Sequence, residues 1–152
     1  MKHYRKEIRQ VIVSVNMIDG IYDILSKNSK IKQNMLVLLY AIDDGKLHSQ
    51  TEICEQWLIP RTTINTIVKE CINDGYITFD TSRHTKEKII CITDKGKEYA
   101  QSILQKIYEI EYRAMEKTLS KYSVEFVQAM KEFADNLKFE IDHYTDGEQK
   151  NE

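Results

Sequence analysis

The chain has 152 residues, with 22 Lys+Arg against 24 Asp+Glu and 41% hydrophobic residues, which suits one compact domain or one domain plus a helical extension. One Pro and five Gly leave too few turn residues for an all-β sandwich or barrel, so a mostly α fold is expected. The apolar content excludes a disordered chain, and no apolar run approaches the roughly 18 residues of a membrane span.

The N-terminal MKHYRKEIRQ is charged and leads directly into an amphipathic pattern, so no secretory leader is expected and the protein reads as cytoplasmic, with no membrane partner. Ile8, Val11, Ile12, Val15, Ile18, Tyr22 and Leu25 recur every three or four residues and predict a helix over 4–27. MLVLLYAI, from Met35 to Ile42, is apolar on every side and predicts a short buried helix stopped at Asp43-Asp44-Gly45. Ser49 with Glu52 three residues later forms a capping box for a helix to about Trp57. Pro60 sits where a helix starts without needing its N–H, and Ile64, Ile67, Val68, Cys71 and Ile72 form the buried stripe of the helix that Asp74-Gly75 ends.

Beyond Gly75 the period falls to about two. YITFD and KIICIT read as the strands of a hairpin whose long tip is TSRHTKE. Thr93 or Asp94 can cap a helix of about 25 residues through Leu119, and a last helix starts near Ser123 with Phe126, Val127, Met130, Phe133, Leu137 and Ile141 as its stripe. Two short helices with a tight connection, followed by a two-stranded hairpin, constitute a winged helix-turn-helix arrangement. The terminal stripes hold more apolar surface than such a module can cover, and this points to a homodimer.

Charge is uneven along the chain: residues 60–97 carry seven basic and five acidic side chains, whereas residues 98–152 carry seven and twelve. DNA would therefore meet the middle of the chain. With the apolar stripe of the helix after Pro60 turned inward, Thr62, Asn65, Thr66, Lys69 and Asn73 face outward. Thr and Asn there can bond base edges in the major groove, while Arg61 and Lys69 can pair phosphates. Three threonines, Thr62, Thr63 and Thr66, are poor helix formers for an exposed face and call for a reason other than propensity. Arg83, Lys86 and Lys88 surround the hairpin tip, where they can meet phosphates or a narrow groove, and Ser49, Gln50 and Thr51 open the preceding helix, whose N–H groups can meet a phosphate. Each of these sites has a plainer reading: a solvated helix face, an ordinary polar loop tip, a capping box without a partner.

Three segments make the chain resemble the MarR family of bacterial transcriptional regulators over nearly its full length. PRTTINTIVKECINDGYI at 60–77 is similar to the family's recognition helix and entry into the wing, KIICITDKGKEYA at 88–100 to its Leu-Thr-x-x-Gly hinge, and the long end helices to its dimerisation region. The family's Asp-Arg-Arg wing element falls on His84, Thr85 and Lys86, so its most diagnostic arginine is missing. The resemblance implies a winged helix-turn-helix lobe at 30–95, a helical dimerisation lobe at 4–27 and 96–144, and a homodimer that binds double-stranded DNA at a pseudo-palindromic operator. It further implies a repressor released by small, often aromatic, ligands held between the two lobes. The ligand-binding residues stay unassigned; Tyr22, Tyr40 and Tyr108 are candidates for lining, though aromatic residues on helical stripes are commonly core.

No cofactor, metal or catalytic residue is expected. His3, His48, His84 and His143 are scattered, and Cys54, Cys71 and Cys91 lie among apolar or acidic residues that favour inert thiols. The chain has no G-x-x-x-x-G-K-[ST], G-x-S-x-G or H-E-x-x-H motif, so no enzyme is indicated. The alternative is a winged-helix adaptor or antirepressor that does not bind DNA.

Overall fold

A computed structural model of the chain describes residues 3–82 and 87–149, the last five of these by backbone alone. The elements run α1 (Arg5–Asn28), α2 (Gln33–Ile42), β1 (His48–Ser49), α3 (Gln50–Trp57), α4 (Arg61–Asn73), β2 (Ile77–Phe79), β3 (Ile89–Ile92), α5 (Asp94–Leu119) and α6 (Glu125–Gln149). The chain divides into two compact units, Met1–Tyr108 and Glu109–Glu152.

In the first unit the core gathers on α2, as its all-round apolarity requires: Leu36, Leu38 and Leu39 are sealed and meet Ile53 of α3, Ile64 and Val68 of α4 and Leu104 of α5 in one cluster. Each such side chain contributes about 1.5–3 kcal/mol of burial. α3 starts with the expected reciprocal cap. The Ser49 hydroxyl accepts from the Glu52 N–H at 3.1 Å, and the Ser49 N–H donates to the Glu52 carboxylate at 2.7 Å.

The hairpin is present, but the sheet has three strands in the order β1-β3-β2, all antiparallel. Ile77 faces Ile92 and Phe79 faces Ile90, while His48 and Ser49 pair with Ile90 and Ile89 from the other edge. A strand of two residues has no period to read, so only the tertiary pairing reveals it. His48 is buried there, its Nε2 2.7 Å from the Asp44 carboxylate. That hydrogen bond, with the Lys46 N–H second, holds the Asp44 carboxyl below its ordinary value.

Ile72 departs from the expected buried stripe and is 37% exposed. At 3.6 residues per turn it lies about 80° around the helix from Ile64, on the flank of the stripe that Ile64, Ile67, Val68 and Cys71 already complete. The stripe of α1 is likewise open: Ile8, Ile12, Val15 and Ile18 are exposed, and only its C-terminal end, at Tyr22 and Leu25, packs on the core. In the second unit, α6 exposes Phe126, Val127, Met130, Leu137 and Ile141, and its polar side is laced by Lys131–Asp135 and Lys138–Asp142 pairs.

The end of α4, the start of β2 and the start of α5 converge at Thr93. Its N–H donates to the Tyr76 carbonyl at 2.9 Å, its hydroxyl donates to the Gly75 carbonyl at 2.6 Å, and the same hydroxyl accepts from the Gly96 N–H at 3.0 Å. Gly75 has φ +75°, the left-handed value that ends α4. A Cβ at Gly96 would stand 1.9 Å from the Tyr76 carbonyl oxygen. Gly96→Ala is therefore expected to destabilise the fold by at least about 1–3 kcal/mol, since backbone rather than a movable side chain must yield. Urea unfolding followed by circular dichroism measures the shift; an unchanged midpoint would contradict the close approach.

Candidate nucleic-acid interface

Hydrophobic anchoring decides what α4 shows to solvent. With Ile64, Ile67, Val68 and Cys71 buried, Arg61, Thr62, Asn65, Thr66, Lys69 and Asn73 are exposed and Thr63 is half-buried. Hydrogen bonding restricts what this face can offer. The Thr66 hydroxyl donates to the Thr62 carbonyl at 3.0 Å, leaving its lone pairs and its methyl outward. The Gln50 carboxamide donates to Oδ1 of Asn65, leaving the Asn65 Nδ2 donors for another partner.

Most of the sequence-derived residues fall into two clefts; Lys69 is exposed but lines neither. Gln50, Arg61, Asn65 and Lys88 line one of about 320 Å³, together with Thr51 and Glu87. Thr62, Thr63 and Thr66 line a second of about 450 Å³ against Lys32, Gln33 and Asn34 at the start of α2. Lys88 leans over the Phe79 ring, its ammonium 5.2 Å from the ring centre. Ser49 does not join either cleft: it is buried, with its hydroxyl engaged in the α3 cap, so only Gln50 and Thr51 of that trio reach the surface. Arg83 and Lys86, with His84 and Thr85, lie outside the described residues.

The model of the MarR family matches residues 34–86, from α2 into the hairpin tip. The chain carries a MarR-type winged helix. A MarR family regulator from Neisseria meningitidis shares the fold at a TM-score of 0.78 with 18% identity, over 91% of this chain and 98% of that one. A Staphylococcus aureus MarR, solved in complex with salicylate and kanamycin, matches at 0.61 with 16% identity over 90% and 91%. The regulator NadR, in complex with 4-hydroxyphenylacetate, matches at 0.68 with 16% identity over 90% and 94%. No curated protein sequence matches the chain.

In this MarR-type winged helix, α3 and α4 are the helix-turn-helix and β2–β3 the wing. Sequence reasoning assigned no role to Lys32, Gln33 and Asn34. The available signal was their place at the first turn of a helix, where N–H groups face outward. Lys32 also pairs with Glu70 at 2.8 Å, a contact across 38 positions that no local pattern announces.

A third cavity, about 510 Å³ and mostly hydrocarbon-lined, lies between α1, α2 and the α3–α4 turn, with Tyr22, Tyr40 and Trp57 in its wall. Tyr40 meets Tyr22, Trp57 and Tyr108 edge to face at 6.4, 5.9 and 5.6 Å. Of the three tyrosines weighed from sequence, Tyr22 and Tyr40 line this cavity, while Tyr108 packs behind Tyr40 and donates to the Asp43 carboxylate at 2.7 Å. Among the described residues no group of His, Cys, Asp and Glu is placed to hold a metal, and no helix is long and apolar enough to cross a membrane.

Beneath the exposed face, burial first and then the charges of Asp74 and Glu70 push the Cys71 thiol up to about 11 from 9.0. A raised folded-state value means that its contribution is intact below pH 9 and is lost as pH climbs from 9 to about 11. Stability is expected to fall across that window by up to about 1.4 kcal/mol per pH unit from this group. Denaturant titrations at pH 8, 9.5 and 11 on wild type and Cys71→Ala test it, since the variant removes this part of the alkaline slope.

Proposed function

We propose that the protein is a sequence-specific, double-stranded-DNA-binding transcriptional regulator of the bacterial cytoplasm. It acts as a homodimer on a pseudo-palindromic operator and represses by blocking polymerase. One observation carries this reading: α4 buries its aliphatic stripe and presents Thr62, Asn65, Thr66 and Lys69 outward, between clefts lined by Arg61 and Lys88 on one side and Lys32 on the other. A hydrogen-bonding centre, uncharged at Thr62, Asn65 and Thr66 and flanked by cations, fits base edges in a major groove between two phosphate backbones. The family match over 34–86 supports the same reading.

On this proposal, residues 30–95 are the DNA-binding lobe and helices 4–27 and 96–144 supply dimerisation. The exposed aliphatic residues of α1 and α6 are the support: single exposed apolar residues are ordinary, whole stripes call for a partner. Arg83 and Lys86 would serve the wing and Thr63 the edge of the α2–α4 cleft. Ligand response would run through the cavity beside α1 and α2. Trp57 and Ile59, which line it, precede Arg61 of α4 by four and two positions, so a molecule seated there touches the turn that sets the helix angle.

Fluorescence anisotropy with the protein's own upstream DNA tests the reading. Binding should weaken steeply with salt through counterion release. Asn65→Ala and Thr66→Ala should each cost about 1–3 kcal/mol and relax base preference, and Lys69→Ala should weaken binding to all sequences and lower the salt slope by about one. Indifference to all three would leave the adaptor reading in place. Sedimentation at micromolar concentration should give a dimer, and α1 carrying Ile12→Asp and Ile18→Asp should shift it towards monomer.

A further inference from the structure

We propose that the cavity between α1, α2 and the α3–α4 turn is a site for a small aromatic cation rather than for an aromatic acid. The inference deepens the ligand response proposed above and rests on that reading for its regulatory meaning, though not for the binding itself. The cavity holds about 510 Å³, enough for a single-ring molecule, and its wall combines aliphatic side chains such as Ile18 and Leu36 with the rings of Tyr22, Tyr40 and Trp57.

Its polar groups decide the charge of the occupant. Among the described residues lining the cavity, Asp19 is the one charged side chain, and no Lys or Arg lines it. Gln33 donates to the Asp19 carboxylate at 3.4 Å, a long contact that leaves the negative charge largely in place, and Asn34 completes the polar rim. A ligand carboxylate here would lose water beside a like charge with no cation to receive it. An ammonium would gain the Asp19 carboxylate and sit among three aromatic rings, the combination by which aromatic cages hold quaternary ammonium groups. Asp19 is exposed to water, which screens its charge, so the preference is moderate: roughly tenfold for a cation over its uncharged isostere.

Trp57 is the only tryptophan in the chain, so its fluorescence, excited at a wavelength the ligands do not absorb, reports this cavity directly. The full-length protein is titrated with phenyltrimethylammonium, its neutral isostere tert-butylbenzene, and benzoate. Saturable quenching in the order cation, neutral, acid is expected, with the first two about tenfold apart. Asp19→Asn should close the gap between cation and isostere, and Gln33→Lys, which sets a cation at the rim, should favour benzoate. Circular dichroism confirms that both variants fold. Benzoate binding as tightly as the cation, a gap that survives Asp19→Asn, or no saturable quenching by any of the three overturns the proposal. A parallel anisotropy arm keeps the two claims separate. Cation binding that leaves an intact protein–DNA complex undisturbed upholds the site and removes the ligand-response half of the regulator reading; cation binding by a protein that does not bind DNA upholds the site and removes that reading altogether.

Discussion

The arrangement of the winged helix depends on the hydrogen bonds around Thr93. The Thr93 hydroxyl and N–H fasten three segments: the end of α4 through Gly75, the entry into the wing through Tyr76, and the first turn of α5 through Gly96. The geometry tolerates no Cβ at Gly96, because the Tyr76 carbonyl already occupies that space. Tyr76 and Tyr99 stack face to face at 4.2 Å across the same joint, and Lys95 reaches back to the Asp74 carbonyl at 2.6 Å. The direction in which α4 leaves the core, and the origin of the wing, are thus fixed relative to the start of α5 by short-range bonds as well as by the apolar cluster that α4 and α5 share. Small angular errors at such a joint would be magnified at the helix surface that bears Thr62 and Asn65, so its rigidity bears directly on any groove the helix enters.

On the proposed reading, the exposed face of α4 would separate specificity from affinity. Its central side chains are uncharged, and internal bonds narrow their chemistry further. Asn65 has its carbonyl oxygen engaged by Gln50, and Thr66 has its hydroxyl proton engaged by Thr62. What remains is a set of amide donors, lone pairs and methyls, which suits discrimination among base edges and supplies little attraction by itself. The attraction must come from the flanks, where Arg61 and Lys88 share one cleft and Lys32 borders the other. Glu87 and Glu70 sit among these cations, and Lys32 is already paired. The net field is therefore modest for the proposed DNA-binding surface, as the overall charge of -2 suggests, and on the dimer proposal a second copy presenting the same surface would matter more than it does for a strongly basic protein.

Much of this fold can be read locally. The all-round apolarity of 35–42, the Ser49–Glu52 spacing, the proline that opens α4 and the glycine that ends it each express a short-range rule, and each element stands where its rule puts it. The inward set of α4 was legible for four of its five members; Ile72 escapes because a stripe one residue too wide rotates off the core. Features built from distant residues left no such trace. The two-residue strand His48–Ser49 exists only because Ile89 and Ile90 arrive beside it, and the Lys32–Glu70 pair joins positions that share no pattern. Ser49 illustrates the converse: its cap was visible in sequence, and that same cap is what withdraws its hydroxyl from the surface where a binding role had been expected.

The turn between α3 and α4 connects the cavity to the exposed face of α4. Leu58 adopts φ 49° and ψ 40°, a left-handed conformation that costs a residue with a Cβ about 1–2 kcal/mol, and its own side chain is 75% exposed and returns little of this by burial. The conformation must be held by its neighbours. Trp57 packs edge to face on Tyr40 at 5.9 Å, Ile59 packs against the core, and the Ile59 N–H donates to the Cys54 carbonyl at 3.2 Å. Trp57, Ile59 and Tyr40 are also walls of the cavity. The contacts that keep a strained turn in place are thus the contacts a bound molecule would meet first. Because Pro60 fixes the next φ and α4 begins at Arg61, a rearrangement of Trp57 or Ile59 would act first on the short turn that joins the two helices.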